Sequence, residues 1–296
     1  MMHEPDHDDR HDRGILHDLT VLRERRLLRP RRFERRGALK LLGGAGMGLL
    51  LVACGSDPKS SSDTTASTTS TTGATTTTAA SSGGNGSLVT DAVPEETGGP
   101  FPGDGSNGPN VLTESGVVRR DIRSSFGEYS GTADGVDVGI DLRIVHAGDG
   151  SPFPGAAIYI WHCTAEGGYS LYSQGVEQEN FLRGVQEADA DGQVSFTSIY
   201  PGAYDGRWPH IHFEVFSSLA DATRASGKLV TSQIALLEDT SRSVYESNDR
   251  YSASVGNLNG TSLESDMVFQ DGASLQQPTM SGDIGSNLRM ALTIAV

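Results

Sequence analysis

Short runs of alternating hydrophobic and polar residues dominate the chain from about Val93 onward. Residues Val138–Val145 (VGIDLRIV) alternate with a period of two, and His210–Phe216 (HIHFEVF) do so again. This period is typical of a β-strand, because successive side chains point to opposite faces of a sheet. Gly, Asp, Pro and Ser separate the runs, so the pattern predicts an all-β domain, a β-sandwich. The other predicted strands are Ala157–Cys163, Val194–Ile199, Leu229–Leu237 and Leu292–Val296.

Helical periodicity is weak in the same region. Residues Leu219–Ser226 could form one or two helical turns, and no long amphipathic helix is predicted. No repeat with a fixed period is apparent, which argues against a solenoid or propeller. Helices therefore do not change the prediction of a sandwich.

The region before the predicted domain has the pattern of an export signal. In Arg31–Gly55, basic residues precede an apolar run that is too short for a comfortable membrane span. The run ends in LVAC, which resembles the bacterial lipobox, whose cysteine (here Cys54) is lipidated and becomes the new N-terminus. Arg35-Arg36 followed by GALK resembles a twin-arginine signal, with an ordinary secretory signal as the alternative. We predict export, by the twin-arginine route, of a lipoprotein held on the extracellular face of the cell membrane.

A tract of Ser, Thr, Ala and Gly follows Cys54 and continues to about residue 88. It has almost no apolar or charged side chains, so it cannot form a core. We predict three parts: residues 1–53 are the export signal, residues 54–92 a disordered, flexible tether, and residues 93–296 the β-sandwich domain.

Charge is distributed unevenly between these parts. Of the 23 Lys and Arg residues, 11 lie in residues 1–53, whereas only 8 of the 38 Asp and Glu residues do. The remainder carries a net charge of −18, which favours solubility and disfavours binding to nucleic acid. Membrane contact is then expected only through the lipid on Cys54. Since Cys163 is the one other cysteine, a disulfide framework and a multi-cysteine metal cluster are excluded.

Two histidines in one predicted strand form a candidate metal-binding pair. His210 and His212 lie two residues apart, so their side chains share one face of the strand while Ile211 and Phe213 face the core. Such a pair can supply two ligands to one metal ion. By itself the pair is weak evidence, since a strand can also carry two surface histidines.

Nearby tyrosines make the metal interpretation more specific. Tyr204 follows a Pro-Gly turn just before the histidines, and a loop after another predicted strand carries Tyr169, with Tyr172 as its competitor. A phenol loses its proton easily at neutral pH only beside a strongly charged ion. Two imidazoles with phenolate therefore favour non-haem Fe(III) over Zn(II). A Zn or Cu site that uses only the histidines is the alternative.

Several segments, taken together and in order, resemble the intradiol ring-cleavage dioxygenases, the family of protocatechuate and catechol dioxygenases. The similarity extends from about Val93 to the end of the sequence and is strongest between Trp161 and Val215. The segments that carry it are Glu96–Asn107 (ETGGPFPGDGSN), Ile160–Tyr169 (IWHCTAEGGY), Phe181–Tyr204 (FLRGVQEADADGQVSFTSIYPGAY), Arg207–Phe213 (RWPHIHF) and Leu229–Asp239 (LVTSQIALLED).

This resemblance implies a set of roles. Fe(III) would be held by Tyr169, Tyr204, His210 and His212, with Tyr204 as the axial phenolate that leaves when substrate binds. Arg207 would stabilise the negative charge that builds up on the substrate and oxygen. The family also implies cleavage of a catecholic ring by O₂ between its two hydroxylated carbons, a step in the breakdown of aromatic compounds.

The sequence departs from the well-known members of that family in two ways. The gap between Tyr204 and His210 is shorter, so substrate identity does not carry over, and no helical N-terminal dimerisation region precedes the domain. Three other residues are read as structural: His162 as a packed or neighbouring histidine, Cys163 as a buried thiol and His146 as exposed. The alternative function is a catalytically silent lipoprotein that binds an aromatic ligand, a sugar or a metal at the cell surface.

Overall fold

The computed structural model describes residues 90–296. The predicted export signal, Cys54 and the tether as far as residue 89 lie outside the described residues. Within the described part, eight strands form two four-stranded sheets. The elements, in chain order, are β1 (Asp137–Val145), β2 (Ala157–Trp161), β3 (Arg183–Glu187), β4 (Gln193–Ile199), β5 (His210–Phe216), α1 (Leu219–Ala222), β6 (Lys228–Ala235), α2 (Glu238–Ser247), a 3₁₀ turn (Asp249–Tyr251), α3 (Ser252–Asn259), β7 (Thr279–Ser281) and β8 (Arg289–Ala295).

The main core lies between the two sheets. One sheet has the order β4-β1-β8-β7, with β1 and β8 parallel, and the other has the order β3-β2-β5-β6, with antiparallel pairs. Alternate residues of β1, such as Ile140 and Leu142, pack against alternate residues of β5, such as Ile211 and Phe213. The prediction of an all-β sandwich is thus confirmed.

The second sheet is buried on both of its faces. Its outer face carries Tyr159 and Trp161, which pack with Val111, Leu112 and Ala222 in a separate hydrophobic cluster. Burial on both faces explains why β2 reads as a continuous apolar run and does not alternate. His210 and His212 also lie on this outer face, where Trp161 pairs directly with His212.

The chain from residue 93 to residue 118, which we call the cover segment, lies over this outer face. The amide of Val93 donates to the carbonyl of Ala295 at 2.9 Å, and the amide of Glu96 donates to that of Thr231 at 2.7 Å. Val118, at the end of the cover segment, bridges to β3, and Asp121, just beyond it, bridges to β4, so backbone pairing covers one edge strand of each sheet. The histidine pair is therefore enclosed and not exposed at a surface.

Six predicted strands are present, with small shifts at their ends. The predicted strand that reached Cys163 stops at Trp161, and the last strand begins three residues earlier than predicted, at Arg289. The short helix after β5 is also present. Sequence patterns missed the strands β3 and β7 and the helices α2 and α3. Among residues 90–296, no helix combines the length and the apolar character needed to cross a membrane.

His162 links the two sheets and makes stability depend on pH. It is 1% exposed, and its Nε2 lies 2.7 Å from the hydroxyl of Ser198 in β4. Burial lowers the pKa of His162 from 6.5 to about 4. Between these two values the unfolded chain binds a proton at this residue and the folded chain does not, so stability falls as the pH falls. At pH 4 the loss is expected to approach about 3 kcal/mol.

The test is urea unfolding at pH 7.5 and pH 4.5 for the native chain and for His162→Gln, which cannot be protonated. The native chain is expected to lose more stability on acidification than the variant does. The buried histidines of the metal-binding pair are present in both proteins, so their contribution cancels. An equal loss in the two proteins would show that His162 is not buried in its neutral form.

Candidate metal centre

Two imidazoles form the base of the site. His210 and His212 are each 2% exposed, and their Nε2 atoms lie 3.1 Å apart. The Nδ1–H of His210 donates to the carbonyl of Trp208 at 2.6 Å, which leaves Nε2 free to act as a ligand. Trp161 stacks on His212 with ring centroids 4.8 Å apart and an interplanar angle of 3°. Backbone and packing therefore fix both rings.

Two phenols come to the same point from two different loops. The hydroxyl of Tyr169 lies 3.4 Å from His210 Nε2, and that of Tyr204 lies 3.3 Å from the same atom. The loop that carries Tyr169 is closed by a hydrogen bond, which the backbone amide of Tyr169 donates to the hydroxyl oxygen of Ser173 at 2.8 Å. Tyr169 is 2% exposed, whereas Tyr204 is half-buried. The structure thus brings together the four residues that the sequence singled out.

Tyr172, the competing tyrosine, points elsewhere. Its hydroxyl accepts from the amide of Gly103 at 3.0 Å and donates to the side-chain oxygen of Asn107 at 3.0 Å. Tyr172 therefore fastens the cover segment, and Tyr169 alone of these two lies beside the histidines.

The three donor-to-donor separations measured from His210 Nε2 are compatible with one metal ion. Ligand atoms about 2.0–2.1 Å from one ion, at angles somewhat above 90°, lie about 3.0–3.4 Å apart. The separations of 3.1, 3.3 and 3.4 Å fall in this range. Within residues 90–296, no group of three or more His, Cys, Asp or Glu side chains could hold a metal ion. A metal at this point would need the phenols, and phenol with imidazole is a donor set suited to Fe(III).

Both imidazoles are held in the neutral form. Burial, helped by the positive charge of Arg207, lowers the pKa of His210 to about 3. Burial also lowers the pKa of His212 well below its usual value, and the neighbouring His210 adds to this effect. A neutral imidazole is the form that binds a metal, so the pair needs to release no proton at neutral pH.

Arg207 lies beside the phenol of Tyr204 and is part of a buried network. It is 1% exposed, and its Nη1 lies 3.5 Å from the hydroxyl of Tyr204. Its Nε donates to Asp266 at 2.9 Å, and its Nη2 donates to the side-chain oxygen of Gln233 at 2.7 Å. The ion pair between Arg207 and Asp266 is completely buried, so Arg207 is not a surface residue.

Arg183 is a second buried guanidinium that sequence patterns did not single out. It is 0% exposed and donates to the carbonyls of Phe101, Pro102 and Ser170 at 2.9–3.0 Å. Its Nε also donates to the hydroxyl of Ser170 at 3.0 Å. Arg183 thus joins the cover segment to the loop that presents Tyr169. The segment FLRGVQ contained this residue, but nothing in its spacing indicated the role.

The remaining candidates lie outside the metal centre. His162 contacts Ser198 and the carbonyl of Cys163, so it is a packed histidine. Cys163 is buried, and burial raises the pKa of its thiol to about 12. His146 is exposed and stacks on Phe153 with ring centroids 4.2 Å apart. These positions agree with the structural readings of the three residues.

Gly99 approaches His212 so closely that a side chain would touch the ring. Its φ is +66°, and a Cβ would lie 3.2 Å from His212 Cε1. We expect Gly99→Ala to cost about 1 kcal/mol of stability through the left-handed backbone and also to weaken metal binding. Gly127 is a matched control, since its φ is +68° and a Cβ there would meet nothing within 4 Å. Urea unfolding and a metal-competition titration of both alanine variants test this prediction, and equal metal affinities would contradict it.

The central part of the chain is similar to known dioxygenases. A family model described as "Dioxygenase" matches residues 122–240. Chlorocatechol 1,2-dioxygenase from Rhodococcus opacus is 39% identical over 56 residues, which is 19% of this chain and 22% of that protein. Catechol 1,2-dioxygenase from Pseudomonas sp. (strain EST1001) is 38% identical over 55 residues, which is 19% of this chain and 18% of that protein. The matched part is thus only about a fifth of the length of these curated relatives.

A solved structure extends the similarity to most of the described part. The intradiol ring-cleavage dioxygenase from Tetranychus urticae has 24% identity and a TM-score of 0.52, and the alignment covers 69% of this chain and 94% of that one. At this identity the likeness concerns the fold. Residues 122–240 thus match the dioxygenase family model, and the described part of the chain has the fold of an intradiol ring-cleavage dioxygenase.

Proposed function

We propose that the protein is a non-haem Fe(III)-dependent intradiol dioxygenase that cleaves a catecholic ring with O₂ between the two hydroxylated carbons. The observation that carries this proposal is the convergence of two phenols on a pair of neutral imidazoles, with donor atoms 3.1–3.4 Å apart. Tyr169, Tyr204, His210 and His212 would hold the ion. When bound, Fe(III) would act as a Lewis acid toward the catechol oxygens and make the ring electron-rich toward O₂.

The two phenols differ in a way that suits this reaction. Tyr169 is packed against Phe101 with ring centroids 5.1 Å apart, and its loop is tied down by Arg183. Tyr204 is half-buried, so it is the phenol with room to move. Its oxygen can accept a proton from a catechol hydroxyl as the substrate enters. Arg207, with Nη1 3.5 Å away, is placed to stabilise negative charge at that position.

The short connection between Tyr204 and His210 shapes the site directly. The amide of Arg207 donates to the carbonyl of Tyr204 at 3.3 Å and closes a turn. This turn brings the side chains of Tyr204 and Arg207 to the same wall of the site. The well-known family members have an insertion here, so the wall of this pocket differs from theirs. The identity of their substrates therefore does not carry over to this chain.

The first experiment is a visible absorption spectrum with metal analysis on the purified full chain. The expected result is a broad tyrosinate-to-Fe(III) band, about one iron per chain, and a shift of the band when catechol is added, followed by O₂ uptake. A protein that stays colourless after loading with Fe(III) would overturn the metal centre. Iron and colour without turnover of any catechol would favour the silent binding protein, and a blue copper form would favour a site made by histidines alone.

The cellular location is part of the proposal. The lipobox and the Arg35-Arg36 pair support export by the twin-arginine route and anchoring through a lipid on Cys54. In a bacterial host, Cys54→Ser is expected to move the protein from the membrane fraction to the soluble one, and replacing both arginines by lysine is expected to block export. Unchanged fractionation in both variants would contradict this part of the proposal.

A further inference from the structure

Asp266 is a completely buried carboxylate that lies outside the segment matched by the family model. Its side chain is 0% exposed and accepts four hydrogen bonds. One oxygen accepts from Arg207 Nε at 2.9 Å and from the amide of Trp208 at 2.7 Å. The other accepts from the amides of Val268 at 2.8 Å and Phe269 at 3.3 Å. The carboxylate is therefore fully satisfied although it has no contact with water.

The local chain makes Asp266 a rigid anchor. Its amide donates to the carbonyl of Ser262 at 2.9 Å, which closes a turn after α3. Val268 and Phe269, two and three residues after Asp266, are 3% and 1% exposed and belong to the main core. Packing on one side and a closed turn on the other leave the carboxylate little freedom.

Two anchors hold the guanidinium of Arg207. Asp266 binds its Nε, and the side-chain oxygen of Gln233 binds its Nη2 at 2.7 Å. The amide group of Gln233 is itself oriented, because its Nε2 donates to the carbonyl of Thr97 at 2.8 Å. A guanidinium is planar, so fixing two of its nitrogens fixes the direction of the third. That third nitrogen, Nη1, faces the hydroxyl of Tyr204.

Stability alone is a poor explanation for the buried ion pair of Arg207 and Asp266. Removing two charges from water is costly, and an apolar pair of similar volume is often at least as stable as a buried ion pair. The arrangement does keep Arg207 oriented and charge-balanced next to the candidate metal centre. We propose that Asp266 is a positioning residue that aims Arg207 at the Tyr204 side of the metal centre. As far as turnover is concerned, this inference rests on the proposed function.

The central test compares Asp266→Asn with Asp271→Asn, which changes an exposed aspartate in the same segment. Asp266→Asn is expected to keep about one iron per chain while kcat for a catechol falls about 10- to 100-fold and KM changes little. Asp271→Asn is expected to match the native chain. Loss of iron in Asp266→Asn, or a kcat equal to that of the control, would overturn the proposal.

A double-mutant cycle separates positioning from a general structural effect. If Asp266 acts through Arg207, then Asp266→Asn has no further effect on kcat in an Arg207→Leu background. Multiplicative effects of the two substitutions would overturn the proposal. If the single variants do not fold, the apolar pair Arg207→Met with Asp266→Leu tests the same point. It is expected to fold and bind iron with a kcat at least about 10-fold below that of the native chain, and a native kcat would contradict the role.

A readout without turnover keeps this inference distinct from the proposed function. In the metal-free full chain, the NMR signal of the Arg207 Nε–H group is expected to be protected from exchange with water in the native protein and in Asp271→Asn. It is expected to exchange rapidly in Asp266→Asn. Protection that is unchanged in Asp266→Asn would overturn the positioning role even in an active enzyme. If Asp266→Asn shows the predicted loss of protection but the native chain cleaves no catechol, the proposed function fails and the anchoring of Arg207 stands.

Discussion

Replacing His212 by alanine is expected to strip the metal from the chain and to lower catechol turnover by more than about 100-fold. Even the hydrogen-bond partners of metal ligands typically contribute 10- to 100-fold to affinity or activity, and a ligand contributes more. His212 Nε2 lies 3.1 Å from His210 Nε2, and the stacked Trp161 leaves no space for another side chain to replace the ring. Metal analysis and the intensity of the visible band measure the loss.

The control for this variant is His146→Ala. His146 is exposed and contacts Phe153, far along the chain from the proposed ligands, so its removal is expected to leave iron content and colour unchanged. Native iron content in His212→Ala would show that the ion is held by other groups, and the assignment of the histidine pair would then be wrong.

Replacing Arg183 by leucine is expected to destabilise the domain by about 3 kcal/mol or more. The substitution removes the donor to the carbonyls of Phe101 and Ser170, whereas the carbonyl of Pro102 still accepts from the hydroxyl of Tyr159 at 2.8 Å. Each unsatisfied buried group costs about 1–3 kcal/mol. Because the same guanidinium ties down the loop of Tyr169, the iron-loaded variant is also expected to have a weaker phenolate band. Urea unfolding and absorption spectra measure the two effects.

Arg242→Leu is the matched control for Arg183→Leu. Arg242 is only partly buried, and it pairs with Glu238 one helical turn away at 2.7 Å, a contact worth only about 0.3–0.5 kcal/mol. Similar losses in the two variants would mean that Arg183 does not hold the cover segment and the Tyr169 loop together.

The strands that sequence patterns predicted are those whose burial alternates or is continuous. In β1, every second residue is buried, so a period of two was visible in the sequence. In β3 (RGVQE), the buried residues include Arg183 and Gly184, and a buried arginine looks like a surface residue in a hydrophobicity pattern. The strand β7 has only three residues, too few to show a period.

The helices were missed for a related reason. The sequence of α2, EDTSRSVYES, is mostly polar and buries only Ser241, Val244 and Tyr245. Three buried residues give too weak a helical pattern to be distinguished from the sequence of a loop. Packing of Val244 and Tyr245 against the main core stabilises the helix, and that contact is not visible in a single sequence.

For the metal centre, spacing revealed the side chains that meet at one point but not those that hold them there. The histidines are close in sequence, and a strand places them on one face. Arg207 and Asp266 are 59 residues apart, and Arg207 and Gln233 are 26 apart. No local pattern pairs such residues. Asp266 lies in a polar stretch, SLESDMVFQD, and nothing in it distinguishes the buried carboxylate from the exposed acidic residues around it.

The parallel pairing of β1 with β8 has a consequence for how the chain folds. Gly139 pairs with Arg289 and Val145 with Ala295, so neighbours at the centre of one sheet are 150 residues apart along the chain. Such long-range pairing has a high entropic cost of loop closure and is associated with folding in milliseconds to seconds. The first sheet can close only after β8 has left the ribosome. Completion of this sheet is therefore expected to wait until the last strand of the domain has been made.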